Sequence, residues 1–236
     1  MQIIENEFNK GVDDNIVENV TKLIDQYGKI IVIEDDCFLS KYFLKYMNEA
    51  LLMYENEERV MHVSGCCMPI DRELPSTFFL QSANGWGWGT WRRAWKYYEP
   101  DAKLLYNTIE ENQLFFKFNY EGKLPENQKQ LEACSNKLMN NWDIKWYASQ
   151  FLKDGLCLQF YPSLVNNIGQ DGSGEHSNDT TFYDVPIQDK YVPIKKIPVI
   201  ENSAIRKAVS DYLFVKTLSF LATVKHVWIK KFFGLK

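Results

Sequence analysis

The sequence predicts an α/β fold in which a mixed, mostly parallel sheet is flanked by helices. Of its 236 residues, 45% are hydrophobic and 15% aromatic, so the chain can bury a sizeable core. The run from Ile30 to Ile33 is apolar and β-branched, which is typical of a strand covered on both faces. Strand-like and helix-like segments alternate through the first part of the chain, and this order is typical of α/β proteins.

The elements follow from hydrophobic periodicity and from residues that begin or end them. Strands are predicted at Met1 to Phe8, Lys29 to Ile33, Val60 to Val63 and Leu156 to Tyr161. Helices are predicted at Asp13 to Tyr27, after a Ser40 cap, at Asn107 to Lys117 and at Pro125 to Trp146. Loops are expected at Pro69 to Thr77 and Asn166 to Asp184. We expect residues 1–200 to form one domain that is only partly present, and residues 201–236 to form a basic, amphipathic helical tail.

Composition excludes several classes of protein. The net charge of -4 argues against a nucleic-acid binder with a uniformly basic surface. The five cysteines include no CxxC pair, so neither a disulfide framework nor a zinc knuckle is indicated, and a reducing compartment fits best. Because the first residues contain no signal-peptide pattern and no stretch is long and apolar enough to span a bilayer, we expect a cytoplasmic protein.

Three consecutive acids follow the predicted strand at Lys29 to Ile33. Ligand sites of parallel sheets lie beyond the carboxyl ends of strands, where Glu34, Asp35 and Asp36 fall. Clustered carboxylates repel one another, and Mg²⁺ or Mn²⁺ shared with substrate phosphates commonly offsets that repulsion. The triplet therefore predicts a cation site, and the alternative is a solvated acidic turn.

The segment from Asn84 to Trp91 alternates tryptophans with glycines. Glycine lets backbone approach a ligand closely, and indole rings form flat walls that suit sugars and nucleobases. Gly85, Trp86, Gly87 and Trp88 are therefore candidate substrate-binding residues. The alternative is a tight turn whose tryptophans pack into the core.

A single acid, Asp143, lies between Trp142 and Trp146 in a predicted helix. A carboxylate beside indoles loses water, so its pKa rises toward neutrality and it becomes a candidate general base. The alternative is an ordinary acid on a helix surface.

Together, the acidic triplet, the glycine and tryptophan loop, the Trp142-Asp143 helix and His176 resemble glycosyltransferases of the GT-A fold. The resemblance runs from about Asn9 to about Ser177 and is closest to family-2-type enzymes and the inverting N-acetylglucosaminyltransferase I group. It implies a GT-A-like, Rossmann-like sheet and transfer of a sugar from a nucleoside diphosphate sugar, a UDP-sugar in particular, to a carbohydrate or lipid-linked acceptor.

The resemblance also assigns roles to residues. Asp36 matches the acid that binds Mn²⁺ or Mg²⁺, while Glu34 and Asp35 match acids that contact the nucleotide-sugar. Asp143 matches the catalytic base, and Trp142 stands beside it in the substrate pocket. His176 matches a histidine near the metal and the diphosphate, and its alternative is an exposed loop histidine. Members of the family usually begin with a strand-helix-strand segment that supplies much of the uracil and ribose pocket, and this sequence starts after it, near Ile3. The resemblance therefore implies an N-terminally truncated domain or a separate polypeptide that supplies the missing half, and weak nucleotide-sugar binding by this chain alone is expected.

The tail has a different character. From Arg206 to Lys236 it has seven Lys or Arg and a single acid, Asp211, and apolar residues interleave with the basic ones. This pattern is typical of helices that lie on anionic membrane surfaces, which predicts a peripheral contact on the inner face of the membrane. A helix docked on the domain is the alternative.

Three function classes are compatible with these features. The first is a metal-dependent inverting glycosyltransferase. The second is a non-catalytic carbohydrate-binding or scaffold protein derived from one. The third is a sugar-nucleotide nucleotidyltransferase, whose usual glycine- and lysine-rich phosphate loop is not found near the start of the sequence.

Overall fold

The computed structural model describes residues 3–70, 72–169 and 184–215, and it has a mixed α/β fold. The strands are β1 (Lys29–Val32), β2 (Cys37–Leu39), β3 (Val60–Ser64), β4 (Thr77–Leu80), β5 (Trp88–Trp91), β6 (Leu156–Phe160) and β7 (Val165–Asn167). The helices are α1 (Gly11–Tyr27), α2 (Phe43–Met53), α3 (Arg92–Trp95), α4 (Ala102–Glu111), α5 (Phe115–Phe118), α6 (Glu126–Ser135) and α7 (Trp142–Leu152). Residues 203–215 are also helical and are called α8.

The main sheet has five strands in the order β1-β5-β3-β6-β4, and β2 pairs with β7 in a separate ribbon. Within the main sheet only β3 and β6 are parallel, so the prediction of a mostly parallel sheet is wrong. The strands are apolar because helices cover both faces of the sheet, and that coverage does not depend on strand direction. Strand β1 lies at one edge of the sheet, next to β5.

Three hydrophobic clusters hold the layers together. One places α2 on one face of the sheet, and another places α4 to α7 on the opposite face. Adjacent residues of β4 show this division, because Phe79 belongs to the first cluster whereas Phe78 and Leu80 belong to the second. The third cluster is rich in tryptophan and joins α1, α3 and α7 to the sheet.

Helix ends follow local chemistry. Gly28 ends α1 with a φ of 81°, a left-handed conformation that favours glycine. Asn141 begins α7, because its side-chain oxygen accepts hydrogen bonds from the backbone N–H groups of Asp143 and Ile144. The single helix predicted at Pro125 to Trp146 is therefore two helices, which Lys137 separates with a φ of 58°.

Other predicted elements need correction. The predicted strand at Met1 to Phe8 is absent over residues 3–8, and the predicted helix at Asn107 to Lys117 is the end of α4 followed by α5. The three-residue strands β2 and β7, and also β4, were not predicted because short segments carry little periodicity. Ser40 lies before the first turn of α2, and its hydroxyl accepts from the backbone N–H of Tyr42.

The described part of the predicted tail is docked on the domain. Ala208 and Val209 of α8 are buried in the same cluster as α4 to α7. Arg206, which is 5% exposed, bonds to Glu121 at 2.9 Å and to Glu201 at 3.0 Å. Within the ranges described, no helix has the length and apolar character that a bilayer span requires. The membrane interpretation of residues 216–236 falls outside the described residues.

Candidate functional site

A cavity of about 1170 Å³ opens beyond the carboxyl end of β1. Among the segments that line it are Glu34 to Asp36, Asn84 to Trp86, and Met139 to Ile144. Six carboxylates line the cavity, and among the described residues no Lys, Arg or His does so. The acids are Asp13, Glu34, Asp35, Asp36, Glu126 and Asp143. A cavity of this charge favours a cation, or an anion that brings a cation with it.

The segment from Glu34 to Asp36 is held between the two sheets. It leaves β1, turns where the N–H of Cys37 donates to the carbonyl of Glu34 at 3.2 Å, and enters the β2-β7 ribbon. The N–H of Ile168 donates to the Asp36 carbonyl at 2.9 Å. A Cβ at Gly169 would lie 2.5 Å from Oδ2 of Asp36, so only glycine leaves room for that carboxylate.

The charges in this segment interact. Burial, and after it the negative charges of Asp36, Asp143 and Asp35, together raise the pKa of Glu34 to about 7. A carboxylate held at such cost in free energy is stabilised when a cation binds beside it.

Asp143 lies in the first turn of α7 and lines the same cavity as the acidic segment. Burial, and after it the charge of Asp13, together raise its pKa to about 6. Asp13 is itself buried, and its Oδ1 accepts a hydrogen bond from the backbone N–H of Trp142. A carboxyl group with a pKa near 6 is largely ionised at neutral pH and can accept a proton there.

Gly85 brings the tryptophan loop against this helix. A Cβ at Gly85 would lie 3.2 Å from the Trp142 ring and 3.9 Å from the Asp143 carboxyl carbon. The side chain of Asn84 shapes the turn by accepting from the N–H of Trp86 at 2.8 Å. Trp142 and the half-buried Trp86, which also packs against the α2 cluster, both line the cavity.

Gly87 and Trp88 have a different environment. Trp88 is fully buried in β5, and neither residue lines the cavity. A Cβ at Gly87 would lie 2.7 Å from a Val165 methyl group, so this glycine serves packing, and its φ of 60° also favours glycine. The sequence alternative, a turn whose tryptophan packs into the core, describes Trp88, and the expected contact of Gly87 and Trp88 with substrate stays a prediction.

A stack of aromatic rings supports the Asp143 wall from inside. Trp142 stacks on Trp88 at 5.1 Å, and Trp88 stacks on His62 at 5.3 Å. The indole N–H of Trp146 donates to Nδ1 of His62 at 3.1 Å. Burial lowers the pKa of His62 to about 3, so the imidazole is neutral and acts as part of the core.

The donor set fits a divalent ion only if a ligand completes the coordination. Within the described ranges, no group of three or more His, Cys, Asp or Glu side chains is arranged to hold a metal. Mg²⁺, however, is commonly bound through one or two carboxylates together with substrate phosphates. The half-buried Glu34 and Asp36 offer such carboxylates. His176, the other predicted metal ligand, lies outside the described residues.

Part of the site was not predicted from the sequence. Asp13 contacts the backbone of Trp142, which lies 129 residues further along the chain, and no local pattern signals such a contact. The cavity also has an apolar side to which α8 contributes Val209 and Leu213. The tail pattern predicted an amphipathic helix, but the pattern alone does not say what the apolar face covers.

No protein-family model matches the chain, and no curated protein matches it.

Proposed function

We propose that this chain is a metal-dependent inverting glycosyltransferase. It would move a sugar from a nucleoside diphosphate sugar, a UDP-sugar in particular, to a hydroxyl of a carbohydrate or lipid-linked acceptor. One observation carries the proposal: the acidic segment Glu34 to Asp36 and the carboxyl group of Asp143 line the same cavity. We further propose that β1, β5 and β3 belong to a GT-A-type core, which the position of the acids directly after β1 supports.

The reaction requires two groups close to each other. One accepts the proton of the acceptor hydroxyl, and the other stabilises the diphosphate as it leaves. A bond forms between the acceptor oxygen and the anomeric carbon as the bond from that carbon to the diphosphate breaks. The Asp143 carboxylate accepts the acceptor proton, a step worth about 10²- to 10⁴-fold in rate. Attack from the face opposite the leaving group inverts the sugar.

Asp36 and Glu34 would hold Mn²⁺ or Mg²⁺ at the diphosphate. When bound, the ion supplies positive charge to the departing phosphate oxygens. The cavity lining supports a role for such an ion, because no described side chain in that lining is cationic and could offset the phosphate charge. The indole of Trp86 would lie against the sugar ring.

The sequence of the tail supports a proposal for where in the cell the reaction occurs. Residues 206–236 are basic and apolar by turns, so we propose that the enzyme acts in the cytoplasm at an anionic membrane surface. Sedimentation with anionic vesicles at low salt tests this contact. Protein that stays in the supernatant would contradict it.

Calorimetric titration with UDP-sugars tests the donor site. We expect binding by the wild-type chain to require Mn²⁺ and to be lost in Asp36→Asn. Asp25→Asn is the matched control, because Asp25 is an exposed acid outside the cavity lining. Nucleotide-sugar binding that ignores both Mn²⁺ and Asp36 would overturn the assignment. Mn²⁺-dependent binding without transfer to any acceptor would instead favour the non-catalytic carbohydrate-binding protein.

A further inference from the structure

We propose that the cavity contains an apolar subsite for a hydrocarbon aglycone attached to the acceptor sugar. The subsite is lined by Tyr120, Leu124, Ile144, Tyr147, Val209 and Leu213. This inference rests on the proposed function, because it places the acceptor hydroxyl at Asp143 and the aglycone beyond it.

The six lining residues belong to one continuous hydrophobic cluster. Ile144 follows Asp143 directly in α7, so the apolar wall begins beside the candidate base. Val209 and Leu213 are one helical turn apart and present the same side of α8 to the cavity. The apolar lining is therefore continuous with the carboxylate proposed as the base.

The two tyrosines present rings to the cavity because their hydroxyl groups are used elsewhere. The Tyr147 hydroxyl donates to the carbonyl of Phe118 at 3.0 Å, and the Tyr120 hydroxyl donates to the carbonyl of Gln81 at 3.3 Å. Both side chains are 5% exposed. A ligand in this part of the cavity thus meets ring carbons and aliphatic groups, while both tyrosine hydroxyl groups are already bonded, and this suits a hydrocarbon better than a second sugar.

Ion pairs and a hydrogen bond hold α8 against the domain, so the part of the cavity wall that α8 forms has a fixed position. Arg206 is buried between Glu121 and Glu201 and lies over the Tyr120 ring, 4.5 Å from its centre. The Ser210 hydroxyl donates to the Tyr120 carbonyl at 3.0 Å.

The chain that follows α8 indicates where such an acceptor comes from. Residues 216–236 contain five lysines and no Asp or Glu, together with many apolar residues. A sequence of this kind favours an anionic lipid surface. An acceptor that carries a hydrocarbon chain is held at such a surface, and this selects a lipid-type aglycone as the occupant.

The test is a series of alkyl β-D-glucosides from methyl to octyl, titrated into the full chain below their micelle-forming concentrations. Each methylene that becomes buried should raise the affinity about fourfold, so a rise of at least about 100-fold is expected across the series. Saturable binding with one site per chain is part of the expectation. Equal affinities for methyl and octyl glucoside would overturn the proposal.

A pair of variants locates the site. Leu213→Asp should abolish the dependence on chain length, whereas Phe214→Asp should preserve it, because Phe214 is 42% exposed on the same helix and does not line the cavity. A chain-length dependence that survives Leu213→Asp, or that Phe214→Asp abolishes, would refute this location. If Leu213→Asp does not fold, Leu213→Ala is used and should reduce the affinity for octyl glucoside at least about threefold.

Mn²⁺-dependent binding of a UDP-sugar is measured in the same samples. Donor binding without any effect of chain length removes the aglycone subsite and leaves the proposed function standing. A chain-length effect without donor binding supports the subsite and counts against the glycosyltransferase.

Discussion

The two walls of the cavity that carry carboxylates are built in different ways. The wall with Asp143 rests on stacked rings, because Trp142 lies on Trp88 and Trp88 lies on His62. The wall with Glu34 and Asp36 extends from the edge strand β1 into the three-residue strand β2. Every residue of β1 and β2 is half-buried or exposed, whereas every residue of β3, β5 and β6 is buried.

This difference matches the two tasks of the proposed reaction. A general base works only at a narrow range of distances from the proton it accepts, so rigid support is an advantage. Carboxylates that share a cation with a substrate have to adjust when that substrate binds and leaves. We therefore expect a fixed base and a more adjustable cation-binding segment.

The largest expected effect comes from removing the charge of the base without changing its size. In Asp143→Asn, transfer should fall about 10²- to 10⁴-fold, because no carboxylate is left to accept the acceptor proton. Binding of the UDP-sugar should persist, since the acidic segment is intact. Rate assays and calorimetry on the same preparation check both statements. Unchanged transfer would remove Asp143 from the mechanism.

Two tryptophans separate support from ligand contact. Trp88→Ala should lower the free energy of unfolding by about 3–5 kcal/mol, because it leaves a cavity in a fully buried stack. Trp86→Ala should cost far less stability, since this side chain is half-buried, but it should weaken ligand binding. Urea unfolding and calorimetry measure the two effects. Similar losses of stability in both variants would contradict the contrast.

Hydrogen exchange compares the walls directly. Backbone amides of residues 34–39 should exchange at least about tenfold faster than the interior amides of α7, because segments with few buried contacts open locally at low cost in free energy. Mn²⁺ with a UDP-sugar should slow exchange at residues 34–39 and leave α7 nearly unchanged. Equal protection of both walls without ligand would mean that the acidic segment is as rigid as the base.

A smaller effect concerns the pH dependence of stability without metal. The pKa of Asp143 is about 6 in the folded chain and lower when unfolded, so the folded state binds more protons over that interval. This contribution to stability is therefore present at low pH and lost as pH rises from about 4 to about 6. Asp143→Asn should remove it.

Thermal unfolding of the wild-type chain and of Asp143→Asn at several pH values measures this difference. The variant should gain on the wild type by roughly 2 kcal/mol, or about 4–8 °C in Tm, as pH rises through this range. Buried His62, whose pKa is lowered to about 3, contributes with the opposite sign in both proteins and cancels in the comparison. Parallel Tm curves would show that burial of Asp143 does not strain the fold.

Local patterns in the sequence predicted the residues that carry the proposed chemistry. An apolar run followed by three acids located the end of β1, and an acid between tryptophans singled out Asp143, although the predicted helix ended near this residue instead of beginning there. The same patterns predicted α1, α2, β3 and β6 closely, because burial of one face or of a whole strand leaves a periodic signature.

Tertiary structure alone decided the rest. Trp86 and Trp88 each stand between two glycines. Trp86 nevertheless lines the cavity, whereas Trp88 is buried under Trp142. Periodicity reports how much of each residue is buried but not against what. The antiparallel pairing of β5, the contact of Asp13 with α7 and the docking of α8 all depend on partners far along the chain, and no local pattern encodes them.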